Sequence, residues 1–264
     1  MKTLILGKGF LGKEFERQGF EVWGREKFPG PDGTEGYDAI VNCVGKSNTR
    51  WCENSSNFDD VYYSNVEVPK YLSRYCRGHG IKFVHISTGC LYDEHTLQPC
   101  KETDFIVAHC NYTVSKWVGE IHCDPTRDLI LRPRLYFSDV PDKNNLLCKI
   151  PKFTQFVMDD NSLTNTREIV NATKALLDNN QVGIFNVANE GTISIWRIAQ
   201  LIGLTSNPEL VGITRQELIE KEKLYLVNNT LDISKLCRYY KPQNIKDAIL
   251  ECWEKLNVHN DKSN

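Results

Sequence analysis

Short apolar runs alternate with amphipathic stretches along the first 190 residues. Thr3-Leu4-Ile5-Leu6 predicts a buried strand, and Gly7-Lys8-Gly9-Phe10-Leu11-Gly12 then opens a helix to about Gln18. Phe20 to Trp23 and Asp38 to Cys43 read as strands. From Phe58 to Cys76, Val61, Asn65, Val68 and Leu72 recur at helical spacing. Ile81 to Ile86 predicts a strand and Cys110 to Cys123 a helix. Leu129-Ile130-Leu131 predicts a strand that ends at Arg132-Pro133. Gly183 to Val187 predicts one more strand, and Ser194 to Ile202 a helix. Alternating strands and helices of this kind predict an α/β fold, a doubly wound parallel sheet with helices on both faces. Residues from about 134 to 180 and from 190 onward alternate less regularly. They are expected to form a smaller lobe over the carboxyl ends of the strands, where such sheets bind ligands.

Composition narrows the class. The 264 residues are 41% hydrophobic and 25% charged, the make-up of an ordinary globular chain able to bury a full core. A net charge of −2 gives no reason to expect nucleic acid or an anionic membrane as partner. No apolar run reaches membrane length, and the N-terminus runs straight into a strand rather than a signal peptide. The ten cysteines include no C-x-x-C pair, so reduced thiols and a cytoplasmic location are expected. No Cys or His pair has ligand spacing, and no metal site is expected.

Gly7-x-Gly9-x-x-Gly12 sits between a strand and a helix, the context in which such a turn binds a dinucleotide. Without side chains, backbone N–H groups can approach a pyrophosphate at the helix N-terminus. The cofactor segment is therefore Gly7, Lys8, Gly9, Phe10, Leu11 and Gly12, in a Rossmann-like domain over residues 1–135 to which the strand 183–188 returns. Residues 136–182 and 189–264 make the substrate-binding lobe. The second strand ends in Gly24-Arg25 rather than a carboxylate. This favours NADPH, with Arg25 near the 2′-phosphate, over NADH. Cys43, Val44 and Gly45 would pass under the cofactor.

The strand through Val84-His85-Ile86 ends in Ser87-Thr88-Gly89-Cys90, and Tyr112-x-x-x-Lys116 follows about twenty residues later. On a helix Tyr112 and Lys116 share a face. A nearby ammonium is expected to lower the phenol's pKa, so that Tyr112 exchanges a proton near neutral pH. Thr88 is placed to hydrogen-bond the reacting oxygen. His85, within an apolar strand, reads as a hydrogen-bonded core residue, and His109 as a fallback acid/base. Asn48 and Arg50, in the loop after the strand ending at Cys43, face the substrate side; Arg50 suits a diphosphate or a surface carboxylate equally. Asn165 suits a helix N-cap or a sugar contact.

These motifs, with Val41-Asn42-Cys43-Val44-Gly45, Leu131-Arg132-Pro133 and Phe185-Asn186-Val187-Ala188, make the chain resemble an extended short-chain dehydrogenase/reductase acting on nucleotide sugars. Its glycine turn is one residue shorter than the G-x-x-G-x-x-G common in the dTDP-4-dehydrorhamnose reductase branch, to which it is closest. Trp51-Cys52-Glu53 and Ser87-Thr88-Gly89-Cys90 narrow the resemblance to bifunctional 3,5-epimerase/4-reductases that complete UDP-L-rhamnose synthesis. The resemblance implies Thr88, Tyr112 and Lys116 as a reductase triad. It implies Cys90 and Lys149 as the acid/base pair of epimerisation, although a small cysteine at a strand end also suits packing and a loop lysine also suits solvent. It further implies a UDP-, dTDP- or GDP-linked 4-keto-6-deoxyglucose supplied by a 4,6-dehydratase. Two rivals stay open: a plain 4-reductase with Cys90 structural, and a non-catalytic nucleotide-binding regulatory subunit. A homodimer is the default expectation.

Overall fold

The computed structural model describes residues 1–24, 33–92, 98–206, 209–223, 225 and 227–261. In chain order the first elements are β1 (Thr3–Leu6), α1 (Phe10–Arg17), β2 (Glu21–Trp23), β3 (Ala39–Asn42), α2 (Thr49–Glu53), α3 (Phe58–Tyr62), α4 (Val68–His79) and β4 (Lys82–Ile86). Next come α5 (Asn111–Glu120), β5 (Leu129–Pro133), β6 (Tyr136–Phe137), α6 (Leu146–Lys149), β7 (Gln155–Val157), β8 (Thr164–Asn165) and α7 (Thr166–Asp178). The chain ends with β9 (Gly183–Val187), α8 (Ile195–Leu201), β10 (Val211–Ile213), α9 (Arg215–Glu222) and α10 (Ile245–Asp261).

Six strands form one parallel sheet in the order β2-β1-β3-β4-β5-β9. Strand order reverses between β1 and β3, and the crevice beyond their carboxyl ends is where a doubly wound sheet takes its ligand. Both faces are covered, which is why the strands read as unbroken apolar runs. Ile5, Val41, Val84 and Leu131 point to one face, with Phe15 of α1. Leu4, Leu6, Ile40, Phe83 and Ile130 point to the other, with Leu72 and Cys76 of α4. The alternation is the period of two expected of a strand.

Two features depart from the sequence pattern. The expected helix from Phe58 to Cys76 is interrupted by a π turn, Tyr63–Glu67, between α3 and α4. At that turn α5 comes very close: a Cβ on Gly119 would lie 1.9 Å from the Asn65 carbonyl oxygen. The second departure is α7. The sequence pattern groups its segment with the smaller lobe, yet Ile169, Val170, Ala172, Leu176 and Leu177 pack into the sheet core with Ile5 and Phe15. The smaller lobe has its own core, in which Phe137, Leu147, Phe156 and Leu163 meet Ile198 of α8 and Ile249 and Cys252 of α10. Among the described residues no helix is long and apolar enough to cross a membrane.

Candidate active site

A cavity of about 360 Å³ opens at the switch point. Its wall brings together Gly9, Phe10 and Leu11; Cys43, Val44, Gly45 and Asn48; Thr88 and Cys90; Tyr112 and Lys116; and Lys149. Residues 9 to 149 of the sequence therefore meet in one space. They do so because four strand ends and the N-terminus of α5 converge there.

The floor is the glycine turn. Gly7 adopts φ +108°, and a Cβ there would lie 2.9 Å from the Cys43 carbonyl carbon. A Cβ on Gly12 would lie 1.8 Å from the Gly7 carbonyl oxygen, so α1 starts hard against the turn. No side chain caps α1 at Gly9. Its first N–H groups thus face the cavity, an arrangement that suits a phosphate. Lys8 pairs with Glu16 at 3.8 Å and is not in the wall. Arg25 lies outside the described residues.

A second wall of the cavity is built from β4 and α5. Beyond β4 the Thr88 side chain accepts from the Cys90 N–H at 3.2 Å and hydrogen-bonds the Tyr112 hydroxyl. The Tyr112 ring is buried, 9% exposed. Lys116, one turn on, donates from Nζ to the Ile86 carbonyl at 2.7 Å. The expected lowering of the phenol is not what this environment produces. Burial pushes Tyr112 well above the ordinary tyrosine value and outweighs the hydrogen bond from Thr88. The shift falls instead on Lys116, drawn down to about 8, chiefly by burial and against the opposing charge of Glu120. Tyr112 thus stands protonated as a donor, while Lys116 is the group that titrates near neutrality. If the ammonium is the active form, activity is full below this value and lost as pH rises through it. We expect kcat/KM, which reports the free enzyme, to fall above pH of about 8. A profile flat to pH of about 10 would remove Lys116 from that role.

Cys90 is half-buried at the cavity wall. Lys149 ends α6 at the same cavity, where burial lowers its ammonium and the charge of Asp142 opposes the shift. Cys148 beside it packs into the lobe core instead. Asn145 caps α6 by accepting from the Leu147 N–H, which fixes the helix that carries Lys149.

The expected substrate contacts divide. Asn48 lines the cavity and also caps α2, accepting from the Trp51 N–H at 2.9 Å. Arg50 is exposed and paired with Glu222, outside the wall. Asn165 is 2% exposed; it caps α7 and donates to the Cys252 sulfur at 3.2 Å. Both its ends are committed inside the protein, so it makes no sugar contact and the capping reading stands. His109 stacks on Tyr225 with ring centroids 4.5 Å apart and is not in the wall. His85 is fully buried, with Nδ1 3.3 Å from the Asn42 amide nitrogen and, among the described residues, no partner for its Nε2. Burial and the neighbouring Lys116 keep its imidazole neutral.

Two contributors escaped the sequence reading. Asn65, fully buried on the π turn, accepts from the Lys46 N–H at 2.7 Å and donates to the Lys46 carbonyl and to Ser115 Oγ. It clamps the segment after β3 to α5, two walls of the same cavity. An asparagine at an otherwise apolar helical position was its only signal. Behind the triad, Arg132 and Glu120 form a buried ion pair, with Ser87 Oγ also donating to Glu120. Arg132 donates to the Tyr92 hydroxyl at 2.7 Å, which in turn donates to Asn186. Burial works against the Arg132 charge, but the hydrogen bond and charge of Glu120 outweigh it.

Comparison with known proteins agrees with this fold. A trifunctional UDP-glucose 4,6-dehydratase/UDP-4-keto-6-deoxy-D-glucose 3,5-epimerase/UDP-4-keto-L-rhamnose-reductase of Arabidopsis thaliana is 25% identical over 283 aligned positions. The alignment covers 95% of this chain, which spans only 41% of that relative. The crystal structure of a UDP-rhamnose synthase from Acanthamoeba polyphaga mimivirus superposes with a TM-score of 0.81 at 22% identity, covering 97% of this chain and 99% of that one. The dTDP-4-dehydrorhamnose reductase of Bacillus anthracis, solved in complex with NADP, gives a TM-score of 0.77 at 15% identity, covering 97% and 98%. The family model for the RmlD substrate binding domain matches residues 33–223. The chain therefore belongs to the RmlD substrate-binding-domain family, within the extended short-chain dehydrogenase/reductases that its sequence resembles.

Proposed function

We propose that the protein is an NADPH-dependent nucleotide-sugar 4-reductase that also carries 3,5-epimerase activity. Its substrate would be a UDP-4-keto-6-deoxyglucose supplied by a 4,6-dehydratase, and its product a UDP-L-rhamnose-type sugar. The observation that carries the reading is the meeting of Thr88, Tyr112 and Lys116 with Cys90 and Lys149 in one cavity above an uncapped helix N-terminus. The relatives named for UDP-rhamnose and dTDP-rhamnose synthesis support it.

The residues present fit a dinucleotide. Gly9, Phe10 and Leu11 would hold its pyrophosphate, and Cys43 to Gly45 would lie beneath it. When bound, NADPH supplies hydride to the ketone carbon. The protein's own part is proton chemistry and placement. Tyr112 donates its hydroxyl proton to O4, and Thr88 orients both hydroxyl and ketone. Lys116 supplies positive charge beside the tyrosine. A C4 ketone acidifies the protons on C3 and C5. Cys90 and Lys149 form the acid/base pair that removes such a proton and returns one from the opposite face. Reduction then fixes the new configuration.

The turn is tested by Gly12→Ala. The added methyl cannot fit beside the Gly7 carbonyl. NADPH affinity, measured by fluorescence titration, is expected to weaken at least ~10-fold. An unchanged Kd would remove the turn from the cofactor site. The full reading is tested by mixing protein, NADPH and UDP-4-keto-6-deoxyglucose in deuterated water. NADPH consumption with deuterium at C3 and C5 and a rhamno product is expected. Cys90→Ser should slow ring exchange by about 10²-fold or more while 4-keto reduction continues. Exchange undiminished in that variant would leave a plain reductase. No consumption with UDP, dTDP or GDP substrates would favour a regulatory subunit.

A further inference from the structure

Arg134 follows β5 and is 1% exposed, so its guanidinium is almost wholly removed from water. Its Nε and Nη2 donate to Asn161 Oδ1 at 3.2 and 2.6 Å, and Nη2 also reaches the Val227 carbonyl at 3.1 Å. Its Nη1 donates to the Cys90 sulfur at 2.7 Å. Among the described residues no carboxylate forms an ion pair with it, in contrast to Arg132 two residues earlier, which has Glu120. A buried cation without a counter-charge is costly. Amide and carbonyl oxygens orient the guanidinium but do not neutralise it. Of its partners, only the Cys90 sulfur can become an anion.

The contact is built into the fold. A Cβ on Gly89 would lie 2.8 Å from Arg134 Cγ and 2.9 Å from Leu231 Cδ1. A residue with a side chain there would push the Arg134 stem away from the turn that bears Cys90. Asn229 holds that turn by donating to the Gly89 carbonyl at 3.0 Å. The other titratable groups around the sulfur are Tyr112 on α5, Cys110 before it, Tyr136 on β6, Tyr225, and on α2 Cys52 and Glu53, whose carboxylate accepts from the Tyr112 N–H at 3.4 Å. Burial pushes Tyr112, Cys110 and Tyr136 upward, so they remain protonated and place no negative charge beside Cys90. Lys116 and Lys149 line the same cavity, and the cation in hydrogen-bonding contact with the sulfur is Arg134.

We propose that Arg134 is a positioning residue that holds the Cys90 sulfur as a thiolate at the cavity wall, ready to act as the base within the Cys90/Lys149 pair. The assignment of steps rests on the epimerase reading above. The thiolate takes the proton from the ring carbon next to the ketone, and the C–H electron pair moves through the ring onto O4 as an enolate. Cys90 becomes a thiol. The Lys149 ammonium then gives a proton to the opposite face of the same carbon as the enolate collapses, leaving an amine. Water takes the thiol proton and supplies one to the amine, which is how solvent deuterium enters the ring.

The test is the rate at which iodoacetamide alkylates Cys90 in the whole protein, read by peptide mass mapping from pH of about 6 to about 9. The wild-type rate is expected to vary less than about 3-fold over this range. In Arg134→Met it should fall about 10-fold at neutral pH and climb about tenfold per pH unit, while Arg134→Lys stays near wild type. Ring exchange relative to 4-keto reduction should drop by a similar factor in Arg134→Met. A wild-type rate that already climbs tenfold per pH unit overturns the proposal without any variant. So does an Arg134→Met profile that matches wild type. Should the wild-type protein show no ring exchange, the epimerase reading fails. The alkylation profile would still report whether Arg134 charges Cys90.

Discussion

Replacing Tyr112 with phenylalanine is expected to lower 4-keto reduction by about 10²–10⁴-fold, the range for loss of a positioned general acid. The ring is buried and its hydroxyl hydrogen-bonds Thr88, so the substitution removes one proton donor and little packing. Thr88 Oγ1 keeps the Cys90 N–H as a partner, and no buried group is left unsatisfied on that side. Folding should therefore be preserved, with Tm within a few degrees of wild type. Ring-proton exchange, which depends on Cys90 and Lys149, should persist and become visible as deuterium accumulating in unreduced substrate. Following NADPH absorbance and NMR exchange in one sample separates the two activities. Reduction at the wild-type rate would mean that Tyr112 is not the acid.

Glu120→Ala carries the largest expected cost in stability. Glu120 is 4% exposed and receives Arg132, itself 2% exposed, through Nε and Nη2, as well as Ser87. Removing it leaves a guanidinium buried with, among the described residues, only the Tyr92 hydroxyl and the Glu102 carbonyl as acceptors. Breaking one side of a buried pair costs about 3–5 kcal/mol. At roughly 2–4 °C per kcal/mol for a chain of this size, the Tm should fall by about 10 °C. The double variant Glu120→Ala/Arg132→Met should recover part of the loss, since no charge is then left unpaired. A loss below about 1 kcal/mol would show the pair to be neutral for folding. There is a functional consequence as well. The Glu120 charge opposes the burial of Lys116, so the high-pH limb of activity should move below its wild-type position of about 8.

The parallel sheet was legible because its strands are buried on both faces and therefore apolar throughout, from Leu4 to Val187. The glycine turn was legible because Gly7 and Gly12 leave no room for a Cβ. Thr88, Tyr112 and Lys116 were legible because a strand end and one helical turn place them locally. The rest depends on distance in sequence. The π turn at Asn65 has no periodic signature that separates it from a continuous helix. The membership of α7 was set by which face of the sheet had room for it.

Charge state was the least visible. The sequence alone suggested that Lys116 would acidify Tyr112; burial, which spacing does not reveal, raises the tyrosine and lowers the lysine. Asn165 could have been a cap or a contact, and only the packing of Cys252 against it decided. The same holds for Cys90. Local sequence put it two residues beyond Thr88, but its partner Arg134 is 44 residues away and arrives only when β4 and β5 lie side by side. Local order thus determined which groups are present at the site. Burial shifted Tyr112 and Lys116, and long-range pairing brought Arg134 to Cys90, because desolvation and distant partners exist only once the chain has folded.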